Sequence, residues 1–275
     1  MEGPGPLPGL PNDRPATRNE ISWLAGRLVS ATLRADGEYE HRLMHNDEIA
    51  DVDLQVKLAG DRASALSGLK CADLVDAVGR VHRHRCHVLD LVSPTPGRVL
   101  FGPAAVISYF PSCSVALDPQ RYNFANMFYE AVGDQPEGKV LVLASNGYTN
   151  TSMGGGTKLY RLHEHRLAGV LTDGRLRDFE ELAGYDFAAY CSGEATHWGG
   201  DVVTPFQANV PVVVGGVGVV PGQYVYADAA GAVVFPEGEV EEVLEKARKI
   251  AAEDKAYRAR IAGETISRPS TGAGV

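Results

Sequence analysis

The segment Leu167-Ala168-Gly169-Val170-Leu171-Thr172-Asp173-Gly174-Arg175-Leu176-Arg177-Asp178 constrains the fold of this chain more than any other. Val170 and Leu171 form a short apolar run that reads as a buried strand, and Asp173-Gly174 then forces a turn. Further strand patterns lie at residues 88–91, 99–101, 105–110, 140–144, 187–190, 210–214, 224–227 and 233–235. Helical patterns lie between them, at 63–80, with Leu66, Leu69, Leu74 and Val78 toward one side, and at 123–132, 158–166 and 237–262. Residues 150–157 read as a loop that holds Gly154-Gly155-Gly156. Helices and strands mix throughout, and no internal repeat is visible, so the expected class is α/β.

The first 16 residues carry seven prolines and glycines before Asn12 and read as a disordered lead-in. Thr17-Arg18-Asn19-Glu20 has the form of a capping box, and Ile21, Leu24 and Leu28 follow at helical spacing, which predicts a helix over about 18–34. Val52, Leu54, Val56 and Leu58 alternate with polar residues as in a half-buried strand. Residues 17–62 are therefore expected to form a helix-strand extension, followed by a main α/β domain at 63–236 and a charged C-terminal helix and tail at 237–275.

With 44% hydrophobic and 22% charged residues the composition is ordinary for a globular protein. A formal net charge of −9 argues against general nucleic-acid binding, which needs clustered Lys and Arg. No apolar segment reaches the roughly 20 residues needed to span a bilayer. The first residues lack the cationic-then-apolar order of a secretory signal. Four widely spaced cysteines, Cys71, Cys86, Cys113 and Cys191, suit a reducing cytoplasm better than a disulfide scaffold.

Just past the Asp173-Gly174 turn, Arg177 and Asp178 are adjacent. A guanidinium grips planar carboxylates bidentately and an aspartate oxygen suits a hard cation, so the pair fits a site where a substrate carboxylate meets a divalent metal. At a strand end the same dipeptide also occurs as a plain surface ion pair.

The order of segments between about 66 and 236 resembles the family of the regulator of ribonuclease E activity A and the class II 4-hydroxy-4-methyl-2-oxoglutarate aldolases. The resemblance runs through Val75-Asp76-Ala77-Val78-Gly79-Arg80, Gly102-Pro103-Ala104-Ala105-Val106, Gly138-Lys139-Val140-Leu141-Val142 and the turn segment above. It closes with Val210-Pro211-Val212, Gly215-Gly216-Val217, Val220-Pro221-Gly222 and Asp228-Ala229-Ala230-Gly231. It implies a swivelling β/β/α-type domain, a central mixed sheet or barrel flanked by helices, assembled as trimers or pairs of trimers with the site between subunits.

The resemblance also implies roles. Arg177 would hold the carboxylate of a pyruvyl group and Asp178 a Mg²⁺ or Mn²⁺ ion, which stabilises the enolate formed when a carbon–carbon bond beside a 2-keto acid breaks. The backbone amides of Gly155, Gly156, Thr157 and Lys158, at the start of a helix, would cradle the same carboxylate. Glu253 matches an acid that the C-terminal helix of a neighbouring subunit contributes to the metal; a solvated charged face is the alternative. One departure stands out. The aldolases carry an acidic residue 22 positions before the aspartate, and here that position is Gly156, with no Asp or Glu between Asn146 and Tyr160. Lys158, Tyr148 and Tyr160 lie nearby as replacements.

Other polar clusters point to less. His82, His84, Cys86 and His87 lack a tetrahedral set of partners and read as the exposed end of a helix. Asp47, Glu48, Asp51 and Asp53 lack the glycine and terminal glutamate of a calcium loop. His197-Trp198-Gly199-Gly200 reads as a surface loop, with a pocket mouth as the alternative; Asp173 shapes its turn, and Cys191 packs. The reading that follows is a metal-dependent lyase, an aldolase or decarboxylase acting on a small 2-keto or hydroxy acid. The missing acid at 156 favours decarboxylation, which needs less proton shuttling at the start. The competing reading is a non-catalytic protein that docks on a partner such as a ribonuclease. A methyltransferase ranks below both, because no Gly-rich adenosylmethionine fingerprint follows a first strand.

Overall fold

The computed structural model describes the backbone of residues 19–24, 27–33 and 39–43, and residues 66–79 and 84–264 in full. Two compact units divide the chain, Met1–Ala65 and Leu66–Val275. The first contains β1 (Asn19–Leu24), β2 (Arg27–Leu33) and β3 (Tyr39–Leu43), paired antiparallel in that order. This overturns the helix expected over 18–34. Ile21 and Trp23 alternate along β1, Val29 and Thr32 are β-branched, and Ala25-Gly26 separates two strands whose ends pair at Leu24 and Arg27. The apolar residues satisfied both periods, and a central glycine costs a helix about 1 kcal/mol. The strand expected near 52–58 and the lead-in before residue 17 fall outside the described residues.

In the second unit α1 spans Cys71–Gly79, shorter than the helix expected over 63–80. Gly68 has φ +77°, which helical backbone does not allow, so the helix starts afterwards. The Asp73 carboxylate caps the start by accepting from Lys70 N–H (3.0 Å). The Cys71 N–H donates to Asp228 (2.8 Å), which fixes the helix to the turn between Asp228 and Gly231.

The main sheet runs β10-β8-β6-β5-β14-β15-β4, and β11 pairs with the far end of β5, beyond the β14 ladder. Its strands are β4 (His87–Val88), β5 (Leu100–Pro111), β6 (Val140–Ala144), β8 (Gly169–Thr172), β10 (Ala188–Tyr190), β11 (Val203–Ala208), β14 (Tyr224–Asp228) and β15 (Gly231–Phe235). β5, β6, β8 and β10 are parallel; the rest pair antiparallel. The sequence suggested two strands at 99–101 and 105–110, but β5 is continuous. Pro103 lies where β5 hands over from β14 to β6, so its missing donor breaks neither ladder. His87 lies in β4 and Cys86 is buried, so these two do not form the expected exposed helix end, and His82 falls outside the described residues.

Every residue of β6 is buried, and its side chains divide by the period of two. Leu141 and Leu143 join Ile107, Tyr109 and Val170 against α2 (Phe124–Val132) and α3 (Gly156–Glu164). Val140, Val142 and Ala144 join Leu171, Val214, Val217 and Val225 on the other face. There the cover is the hairpin of β12 (Val212–Val214) and β13 (Val217–Val219) with β14 and β15. The result is a mixed sheet with helices on one face and β-structure on the other. At about 1.5–3 kcal/mol for each large apolar side chain, these two layers supply the main driving force for folding.

Candidate active site

The parallel strands β6 and β8 end side by side at Ala144 and Thr172, and ligands of open α/β sheets bind beyond such carboxyl ends. Two loops leave from there. One contains β7 (Ser152–Gly154), the other β9 (Arg175–Leu176), and the two short strands pair in parallel. Asp173 locks the turn between β8 and β9 to its surroundings, accepting from the N–H groups of Ser145 (2.9 Å) and Gly215 (3.2 Å). The ladder continues with the Arg177 N–H donating to the Gly154 carbonyl (2.9 Å), which sets Arg177 and Asp178 against the glycine loop.

The resulting cleft, of about 250 Å³, is lined by Ser152, Gly154, Gly155, Thr157, Lys158, Arg177, Asp178, Trp198 and Gly199. Arg177 and Asp178 side chains are about one third exposed, and their charged groups are 3.6 Å apart. A partly exposed pair of this kind contributes about 1 kcal/mol or less to stability, so it is not held for that reason. Asp178 adopts the left-handed conformation (φ 62°, ψ 49°) as it opens α4 (Phe179–Ala183). Asp is among the residues that tolerate this region, and such conformations cluster at functional sites.

A side chain at Gly155 or Gly156 would crowd a neighbouring carboxylate. A Cβ on Gly155 would lie 2.6 Å from Asp178 Oδ2, and one on Gly156 would lie 1.9 Å from Glu181 Oε2. The Gly156 N–H donates to Asp178 Oδ2 (3.1 Å) and Gly156 does not line the cleft, so the expectation that its amide binds substrate is corrected: it orients the aspartate. Among the described residues the N–H groups of Thr157 and Lys158 donate to no protein acceptor, and both residues line the cleft at the N-terminus of α3. The Lys158 ammonium sits over the Phe124 ring (5.8 Å). Its pKa is lowered first by burial and then by the neighbouring charges of Arg177 and Arg161.

Trp198 and Gly199 form the far wall, so the His197–Gly200 segment is the mouth of the cleft as well as a surface loop. A second hollow of about 370 Å³ adjoins it, sharing Lys158 and Trp198 and walled by apolar residues including Leu117, Tyr122, Phe124 and Val203. Tyr148 and Tyr160 line neither hollow, and Glu253 stands exposed on α5 (Val240–Ala262), outside the cleft of its own chain. Cys191 is fully buried, and burial pushes its thiol pKa up to about 11, which suits packing.

Asp178 is the single carboxylate in the lining, and no group of three or more potential ligand side chains is found among the described residues. Such a donor set does not fit zinc. It fits Mg²⁺ or Mn²⁺, which retain several waters and need one or two carboxylates plus substrate oxygens.

A family model described as RraA-like, aldolase/RraA, matches residues 71–234, well over half of the sequence. The chain belongs to the RraA-like family. Among curated relatives of this RraA-like chain is a Halalkalibacterium halodurans protein that bears the name putative 4-hydroxy-4-methyl-2-oxoglutarate aldolase. It is 30% identical over 138 residues, covering 50% of this chain and 65% of the relative. Protein DlpA of Legionella pneumophila is 24% identical over 183 residues, covering 65% of this chain and 28% of DlpA. The chain thus spans less than two thirds of the length of these relatives. Among solved structures, Streptomyces coelicolor RraAS2, an unusual member of the RNase ES inhibitor RraA protein family, matches with a TM-score of 0.63. Its identity is 24%, and the match covers 72% of this chain and 96% of that one. An uncharacterized Pseudomonas syringae pv. tomato protein matches with a TM-score of 0.60 at 19% identity, covering 74% and 92%. The fold is that of RraA proteins, and relatives within the family bear both aldolase and regulator names. No helix among the described residues is long and apolar enough to cross a membrane.

Proposed function

We propose that this protein is a divalent-metal-dependent lyase that acts on a small 2-oxo or hydroxy acid through an enolate, by aldol cleavage or decarboxylation. The observation that carries the reading is the convergence in one cleft of the Arg177 guanidinium, the unused Thr157 and Lys158 amides, the Lys158 ammonium and the Asp178 carboxylate. The first three are donors or cations suited to an acid's carboxylate; the last suits a hard cation. Arg177 fixes the plane of the carboxylate, and the helix amides approach it edge-on where the glycine loop leaves room. A Mg²⁺ or Mn²⁺ ion held by Asp178 would supply positive charge where the electron pair of the broken bond collects. The apolar hollow beside Lys158 receives the substituent beyond the oxo group. The relatives' aldolase names support the reading, as do four unpaired cysteines for a reducing, cytoplasmic setting. Assembly as a trimer or dimer of trimers would let Glu253 of a second copy reach the cation.

The test is turnover of a panel of 2-oxo acids with Mg²⁺ or Mn²⁺, with pyruvate followed by a coupled dehydrogenase. Metal-dependent turnover that falls about 10²-fold or more in both Arg177→Ala and Asp178→Asn is the expected result. The second reading, a non-catalytic protein docked on a partner, is favoured by the absence of a side chain at Gly156. Tight binding of a protein partner with no turnover of any acid would establish it instead.

A further inference from the structure

The hollow that adjoins the cleft is the larger of the two spaces, about 370 Å³ against about 250 Å³. Three aromatic side chains line it, Tyr122, Phe124 and Trp198, and Leu117 and Val203 add to its apolar wall. Lys158 is the single charged residue in that lining, and it lines the cleft as well. Most of the wall is fixed from behind. The Tyr122 ring stacks on Phe206 (5.3 Å), and the Tyr122 carbonyl accepts from the Thr204 hydroxyl (3.1 Å). Phe124 is buried, with its ring 6.2 Å from that of Phe128. The Ser112 hydroxyl donates to the Gly200 carbonyl (2.9 Å), which ties the segment after β5 to the Trp198 loop. Trp198, by contrast, is 55% exposed, an indole left half in water where it lines both spaces. Walls that face open space forgo contacts that a bound apolar group would restore, and ring against ring adds to the gain from burial. A cavity of about 150 Å³ already holds a benzene ring, so this hollow takes one together with its link to the cleft.

We propose that the substrate of this cleft is a 4-hydroxy-2-oxo acid with an aromatic ring on C4, its carboxylate at Arg177 and its ring in the hollow among Tyr122, Phe124 and Trp198. The inference rests on the lyase reading and names the substrate class of the same site. Continuity decides the occupant: because Lys158 and Trp198 line both spaces, a molecule held in the cleft extends into the hollow without crossing the protein. A second carboxylate there would meet one cation and otherwise shed its water against apolar walls, whereas a ring meets partners of its own kind. The cleavage needs no further reactant. The C3–C4 bond breaks, C4 keeps its oxygen as the carbonyl of an aromatic aldehyde, and the hydroxyl proton passes to water. The electron pair goes to C3 as the enolate, which takes one proton from water and leaves as pyruvate.

Cys113 supplies a readout that needs no substitution. It lines the hollow and is exposed, whereas Cys71, Cys86 and Cys191 are buried, so a thiol reagent such as iodoacetamide marks Cys113 first. Labelling is followed by mass spectrometry with Mg²⁺ and one of three acids that share a 2-oxo head: 2-oxobutanoate, 2-oxoglutarate and 2-oxo-4-phenylbutanoate. Calorimetry first gives the affinity of each, and the phenyl acid is expected to bind about tenfold or more tightly than 2-oxobutanoate. Each is then used at about ten times its dissociation constant, where the phenyl acid slows labelling about tenfold by mass action and the two smaller acids leave it near the unliganded rate. Cleavage of 4-hydroxy-2-oxo-4-phenylbutanoate then releases benzaldehyde, read by its ultraviolet absorbance. Equal labelling with the phenyl acid and 2-oxobutanoate overturns this inference, as does equal protection by 2-oxoglutarate. In either case the lyase reading stands on turnover of other acids. Failure of all three acids to bind overturns both.

Discussion

At the scale of single residues the cleft is built by contact distances more than by residue types. Gly155→Ala would push its methyl into Asp178 Oδ2, so the expected outcome is loss of turnover with a stability cost of about 1–2 kcal/mol, separable by assay and thermal melt. Asp173 accepts two backbone N–H groups that have no other acceptor, so Asp173→Ala should cost about 2 kcal/mol in denaturant unfolding. Lys158 titrates below the ordinary lysine value, so raising the pH removes its charge earlier than for an exposed lysine. Calorimetry should show the affinity for an anionic acid declining as alkaline pH is approached, and Lys158→Met should lack that decline. Arg177, Asp178 and the glycine loop stood out in the sequence chiefly through the family resemblance, because the dipeptide alone also reads as a surface ion pair. The contact between Gly156 and Glu181 did not: in Phe179-Glu180-Glu181-Leu182 the latter looks like any glutamate of a short helix. The two are 25 positions apart, and only the fold supplies their adjacency.

At the scale of elements, long buried runs were readable and short or ambiguous ones were not. Val140–Ala144 and Phe124–Val132 fall where periodicity places them, the latter capped by Asn123 accepting from the Asn126 N–H (3.0 Å). β7 and β9 have three and two residues, too few for any period to emerge, yet their pairing aligns the cleft. The residues of β1 and β2 matched a helix as well as strands, and antiparallel pairing of neighbouring strands decided between them. Gly169 begins β8 with φ +153°, and a Cβ there would lie 1.8 Å from the Ala188 carbonyl oxygen of β10. Gly169→Ala should therefore cost about 3 kcal/mol or more, seen as a lowered melting temperature with no change in the chemistry of the site.

At the scale of the whole molecule, the cleft and its adjoining hollow share Lys158 and Trp198, with Arg177 and Asp178 in the first and Leu117, Tyr122, Phe124 and Val203 in the second. Among acids that bind, those with a branched or aromatic substituent should bind more tightly than pyruvate itself, and Trp198→Ala should reduce that preference, as a competition series would show. The sequence resemblance over about 66–236 did not reveal the hollow, whose walls come from the segment between β5 and α2, the starts of α2 and α3, β11 and the loop before β11. β5 carries a different consequence. Its twelve residues are shared between the ladder of β14 and those of β6 and β11, so neither half of the sheet can lose its order while the other keeps all its partners. Heat should therefore melt residues 66–264 in a single cooperative step, visible as one calorimetric transition whose van't Hoff and measured enthalpies agree.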